Sequence, residues 1–192
     1  MRLCCVVTAA GQGVRFGGDK MLHPVAGRPM LEHVLRAMPP ERFSRRFVVL
    51  PPDAPQLTVL AQAYGFEVVI NPSPETGLSS SVRLGLAGAC AGGEPDGILF
   101  AVGDQPYLRR SSVERQLAMF AAHPQNIVAL ATGGSRGNPV LFPRHTYKDF
   151  ARISGDRGGS MVMTMHHKLL LLCEAEMAEE LTDIDRKDET VL

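Results

Sequence analysis

Two cations, Arg15 and Lys20, stand in the glycine-rich stretch Gly11-Gln12-Gly13-Val14-Arg15-Phe16-Gly17-Gly18-Asp19-Lys20, which follows the apolar run Leu3-Cys4-Cys5-Val6-Val7-Thr8-Ala9-Ala10. Small residues let backbone N–H groups approach an anion closely, and the two cations supply its counter-charge; together they are suited to binding phosphate. A carboxylate, Asp104, stands directly after another apolar run, in Gly103-Asp104-Gln105-Pro106. That placement suits a Mg²⁺ ligand, because magnesium binds triphosphates through one or two carboxylates and takes its other oxygens from phosphate and water. A second acid is expected to converge on it. The candidates are Asp183 and Asp185 in Thr182-Asp183-Ile184-Asp185, of which one is expected to face the site.

Spacing excludes the two commonest phosphate motifs. A Walker A loop needs Gly-Lys followed by Ser or Thr, whereas Lys20 lies between Asp19 and Met21. A dinucleotide fingerprint needs G-x-G-x-x-G, but Gly11, Gly13 and Gly17 leave a longer last gap, and Leu50-Pro51-Pro52 ends the next strand without an acid for ribose. A dehydrogenase or a P-loop ATPase is therefore disfavoured.

The elements that must position these groups alternate between strand and helix. Apolar, β-branched runs of strand length occur at 3–8, 47–50, 67–70, 97–102, 127–131 and 168–172. Helical patterns lie between them at 30–38, 55–64, 80–89, 112–123 and 158–166, with Ser79 and Ser111 as expected N-caps. Continuous apolar strands separated by helices predict a single three-layer α/β domain over residues 1–192 with a mainly parallel sheet. In such a sheet, ligands bind outside the carboxyl ends of the strands. The segments there are the glycine loop, Asn71-Pro72 followed by 75–81, Gly103-Asp104-Gln105-Pro106, and the stretch 133–139.

Twenty basic residues balance twenty acidic ones, so no overall field favours nucleic acid or an anionic membrane. No apolar run is long enough to span a bilayer, and a cytoplasmic protein is expected. The four cysteines show no C-x-x-C spacing and read as small buried hydrophobes; the scattered histidines suggest no metal site.

Taken in order, Thr8 to Lys20, Gly77-Leu78-Ser79-Ser80-Ser81, Gly103 to Pro106, Gly137-Asn138-Pro139-Val140-Leu141-Phe142, Gly155-Asp156-Arg157-Gly158 and Asp183-Ile184-Asp185 resemble the molybdenum cofactor nucleotidyltransferases, and Ala9-Ala10-Gly11 resembles their cytidylyltransferase branch. The resemblance implies a Rossmann-like nucleotidyltransferase fold. It also implies transfer of CMP from CTP to the terminal phosphate of molybdopterin-bound molybdenum cofactor, with Mg²⁺ and release of pyrophosphate. Lys20, Arg15 and Asp104 would then be catalytic. Thr8, Ala9, Ala10, Gly11, Gly13, Lys20, Asn71, Ser79, Ser80, Ser81 and Asp104 would bind the nucleotide, Gly137, Asn138 and Pro139 the acceptor, and Asp104 with Asp185 the metal. The implied partners are these small molecules and a molybdoenzyme or its maturation chaperone. The branch often has Gly-His-Pro where this chain has Gly137-Asn138-Pro139, which exchanges a titratable imidazole for an amide. The alternatives are a guanylyl- or sugar-phosphate nucleotidyltransferase of the same superfamily, or a non-catalytic protein that carries nucleotide or cofactor.

Overall fold

The structure is a computed structural model that describes residues 1–11, 13 and 16–187. Its strands are β1 (Leu3–Thr8), β2 (Pro24–Val25), β3 (Arg28–Pro29), β4 (Arg45–Leu50), β5 (Glu67–Ile70), β6 (Gly97–Val102), β7 (Ile127–Thr132), β8 (Ser135–Pro143) and β9 (Leu170–Glu174). The helices are α1 (Met30–Ala37), α2 (Pro55–Ala63), α3 (Leu78–Cys90), α4 (Arg110–Ala122) and α5 (Ser160–Met165). Seven strands form one sheet in the order β5-β4-β1-β6-β8-β7-β9, and β2 with β3 makes a separate small hairpin. Only β8 runs against its neighbours β6 and β7; the other pairings in the large sheet are parallel.

Side-chain alternation along β1 builds a core on each face. Cys5, Val7 and Ala9 pack with Leu31, Val34 and Leu35 of α1, Leu57 and Ala61 of α2, and Val113, Leu117 and Phe120 of α4. Cys4, Val6 and Ala10 point the other way, toward Val82 and Ala89 of α3, Tyr147 and Phe150 of a 3-10 segment, and Val162 and Met163 of α5. A sheet covered on both faces must be apolar on both, which is why its strands read as continuous runs. The expected three-layer α/β fold is present.

Two expectations are corrected. No strand was expected between 131 and 168, yet β8 begins at Ser135, within the stretch 133–139, and pairs with both β6 and β7. Gly137 and Pro139 weaken the strand signal, and the register shift between Ala129 and Ala131 on β7 accommodates them. Neither Ser79 nor Ser111 caps a helix: α3 starts after Gly77 and α4 after Arg109, so both serines lie inside. Cys4, Cys5 and Cys173 are buried free thiols and Cys90 is half-buried.

Candidate active site

Thr8 pairs with Val102, so β1 and β6 end at the same edge and release the glycine loop and Gly103-Asp104 side by side. The Gly103 N–H donates to the Thr8 carbonyl at 2.9 Å, and the Thr8 hydroxyl donates to the Ala101 carbonyl at 3.2 Å. The Ala9 N–H donates to the Val49 carbonyl at 2.9 Å; it belongs to the sheet, and the expected phosphate cradle starts beyond it. At Gly13 the chain takes φ +56°, and a Cβ there would lie 3.0 Å from the Gly18 carbonyl oxygen and 3.2 Å from Lys20 Cβ. Glycine alone fits that crossing comfortably. The Phe16 and Gly17 N–H groups both donate to the Gly13 carbonyl, at 2.8 and 3.1 Å, which folds the loop back and returns Lys20 to the end of β1. Phe16 then packs with Val25 of the hairpin, Met30 and Ile184, tying the loop to the segment that bears Asp183 and Asp185.

Lys20 opens a 3-10 turn, Lys20–Leu22, and its Nζ donates to Asp104 Oδ2 at 2.7 Å and to Asp185 Oδ1 at 2.9 Å. The lysine side chain is 10% exposed, Asp104 23% and Asp185 50%. Burial works against the ammonium charge, but the hydrogen bonds and charges of Asp104 and then Asp185 outweigh it and hold the lysine above its ordinary pKa. Asp183 is raised, first by burial and then by the Asp104 charge, against a stabilising hydrogen bond from Gln105. That bond runs from Gln105 Nε2 to Asp183 Oδ1 at 2.9 Å, and the same nitrogen reaches the Leu181 carbonyl at 3.2 Å.

Both Asp183 and Asp185 line the same cavity, which corrects the expectation that only one would face it. Residues two apart in an extended chain share a face. It is Ile184, between them, that turns away into the apolar cluster.

The cavity holds about 620 Å³. Of the residues expected to bind nucleotide or metal, Thr8, Ala9, Ala10, Gly11, Gly13, Lys20, Ser81, Asp104 and Asp185 line it. Asn71, Ser79 and Ser80 do not. Asn71 is buried beneath, where its amide nitrogen donates to the hydroxyls of Ser80 at 2.8 Å and Ser81 at 2.9 Å and its carbonyl accepts the Ser73 N–H at 3.0 Å. It braces the start of α3. A second cavity of about 240 Å³ adjoins the first, sharing Thr8, Leu78, Val102, Asn138 and Asp156, and its walls include Phe100, Val140, Phe142 and Met163. Of the three residues assigned to the acceptor, Gly137 and Asn138 line this one and Pro139 lines neither; the Pro139 carbonyl accepts from Gln116 at 2.8 Å. Arg15 lies outside the described residues.

Sequence reasoning placed Glu75 in a segment at the ligand edge but gave it no role, and gave none to Asp156; Glu75 lines the large cavity and Asp156 stands at the junction of the two. The signal for Asp156 was present in Gly155-Asp156-Arg157-Gly158, and that for Glu75 in its place after the strand run 67–70. Among the described residues no three side chains form a ready metal cage. Asp104 and Asp185 nonetheless bring two carboxylate oxygens to one cation, the ammonium of Lys20. That donor set fits magnesium, which needs few protein ligands.

A glycine loop, a lysine and converging carboxylates at the carboxyl edge of a three-layer sheet define the class, an enzyme fold of the nucleotidyltransferase type. Residues 5–169 match the MobA-like NTP transferase domain, and the chain belongs to that family. The bifunctional protein GlmU of Rhizorhabdus wittichii is 29% identical over 157 residues, covering 75% of this chain and 34% of the relative. The bifunctional enzyme IspD/IspF of Rhodospirillum rubrum is 34% identical over 136 residues, covering 68% and 34%. The chain thus spans about a third of the length of these two curated relatives. In fold it is similar to a nucleotidyl transferase from Methanothermobacter, with a TM-score of 0.79, 22% identity and coverage of 98% of this chain and 94% of that one. Among the described residues no helix is long and apolar enough to cross a membrane.

Proposed function

We propose that this chain transfers CMP from CTP to the terminal phosphate of molybdopterin-bound molybdenum cofactor, releasing pyrophosphate. The observation that carries the reading is the meeting of Lys20, Asp104 and Asp185 at one end of the glycine loop, within 2.9 Å of a shared atom. The acceptor phosphate oxygen is already anionic, so the reaction needs no serine, cysteine or histidine nucleophile. A bond forms from that oxygen to the α-phosphorus, the bond from the α-phosphorus to the bridging oxygen breaks, and pyrophosphate takes the electron pair. What remains for the protein is to hold two anions in line and balance their charge.

Lys20 would turn its ammonium to the triphosphate and stabilise departing pyrophosphate, while the loop backbone beyond Ala9 cradles phosphate. Asp104 and Asp185 would hold Mg²⁺, which supplies charge neutralisation at the phosphate oxygens. The second cavity supports the acceptor assignment: its apolar walls suit a compact ring system, and Asn138 and Asp156 stand where it opens into the first. The product would pass to a molybdoenzyme or its maturation chaperone.

One observation favours a second reading. The two curated relatives described above are not named for molybdenum cofactor chemistry, and the shared loop and acids would serve another small phosphorylated acceptor, a sugar phosphate included. The test is to incubate the protein with Mg²⁺, molybdenum cofactor and each of CTP, GTP, UTP and ATP, and to measure pyrophosphate. The proposal expects release with CTP. Release with GTP alone would overturn the cytidylyl assignment, and no magnesium-dependent release with any of them would overturn transferase activity toward this acceptor.

A further inference from the structure

Glu180 is fully buried, in the 3-10 turn Ala178–Leu181, and lines neither cavity. Among the described residues it forms no ion pair. Its carboxylate is satisfied by neutral donors: Oε1 accepts from the Ser112 hydroxyl and the Met177 N–H, each at 3.0 Å, and Oε2 accepts from the Arg109 N–H at 3.0 Å. Arg109 immediately precedes α4 and Ser112 lies in its first turn, where the helix dipole favours a negative charge.

The two ends of this link matter. Helix α4 begins shortly after Asp104, and Glu180 shortly precedes Asp183 and Asp185, so one buried carboxylate ties the chain following the first acid to the chain preceding the other two. The segment is then fixed further along. Gln105 holds the Leu181 carbonyl and Asp183, and the Ile184 N–H donates to the Asp104 carbonyl at 3.1 Å. Leu181 lies so close to β8 that a Cβ on Gly137 would fall 2.3 Å from its Cδ2. Burying a carboxylate is costly unless its hydrogen bonds are complete, and an apolar residue would fill this place without that cost.

We infer that Glu180 is a positioning residue, which through α4 sets the distance of Asp183 and Asp185 from Asp104 and Lys20. The inference rests on the proposed reaction for one of its two readouts. Glu180→Gln keeps the shape but presents an amide N–H₂ to donors, so one link must break.

The decisive experiment is a double-mutant cycle on the full chain with Glu180→Gln and Asp185→Asn. It is read by Mn²⁺ titration, followed through water proton relaxation, and by pyrophosphate release from CTP in the presence of molybdenum cofactor as acceptor. Glu180→Gln is expected to weaken Mn²⁺ binding roughly tenfold, as loss of an orienting contact to metal ligands does. In the Asp185→Asn background the same change should have less than about a twofold effect, because the group being positioned is already disabled. An equal loss in both backgrounds would overturn the inference and leave Glu180 a purely structural residue. If Glu180→Gln fails to fold by circular dichroism, Ser112→Ala removes a single donor and enters the same cycle, judged by the same criterion. Coupled Mn²⁺ binding without CMP transfer would overturn the proposed reaction and uphold the role of Glu180. CMP transfer with additive losses would do the reverse. A wild-type chain that does not bind Mn²⁺ would overturn the metal assignment and this inference together.

Discussion

At the residue scale the site is a balance of one ammonium against carboxylates, and each group can be tested by removing its charge. Asp104→Ala or Lys20→Ala is expected to lower turnover by roughly 10² to 10³, the range found when a preorganised electrostatic group is removed from a transition state. Near-normal turnover of Asp104→Ala in saturating Mg²⁺ would contradict its role as a metal ligand. Asp183 gives a prediction with a definite sign. Its folded pKa is raised, so its favourable contribution to stability is complete below the ordinary aspartate range and is lost as pH rises through the folded value. Asp183→Asn should therefore melt higher than the wild type at neutral pH, with the gap closing on acidification; calorimetry across pH would reveal the opposite trend if the carboxylate were stabilising when ionised. Asp104 was legible in the sequence because a charged residue just past an apolar strand has one place to go in a parallel sheet, and Lys20 because it ends the glycine-rich stretch that follows β1. Asn71 was not, since its two serine partners meet it only when α3 docks under the end of β5.

At the element scale, Asn71 and Gly137 separate support from binding. Asn71→Ala leaves two buried hydroxyls without their shared donor, and a loss of about 1–3 kcal/mol in denaturant unfolding is expected, with little change in the KM for nucleotide. A large KM effect with unchanged stability would return Asn71 to the binding surface. Gly137→Ala drives a Cβ into Leu181, and overpacking of this kind costs about 1–3 kcal/mol, measurable in the same way. The strands and helices of the parallel half were readable because each is one uninterrupted apolar or amphipathic run. Strand β8 was not: Gly137 and Pro139 interrupt the pattern, and the register shift against β7, where extra β8 residues between Arg136 and Val140 are accommodated, is a property of the pair. The helix starts were misplaced for a related reason, since α3 is entered through Gly77 at φ +96° and no serine side chain caps it.

At the scale of the whole molecule, the sheet order places β1 and β6 side by side near the middle, so the glycine loop and Asp104 share one edge while the segment after β9 returns across that edge with Asp183 and Asp185. This long return separates the acids in sequence and joins them in space. The antiparallel β8 then carries Gly137 and Asn138 to a second, more apolar cavity beside the first, and the proposed reaction would seat its two substrates in this pair. The central claim is tested most directly by identifying the product. Incubated with Mg²⁺, CTP and molybdenum cofactor, the protein should yield, by mass spectrometry, a cofactor heavier by one CMP, with pyrophosphate in equal amount and neither product when the metal is chelated. Unmodified cofactor beside hydrolysed CTP, or CMP found only on a different phosphorylated acceptor, would contradict it.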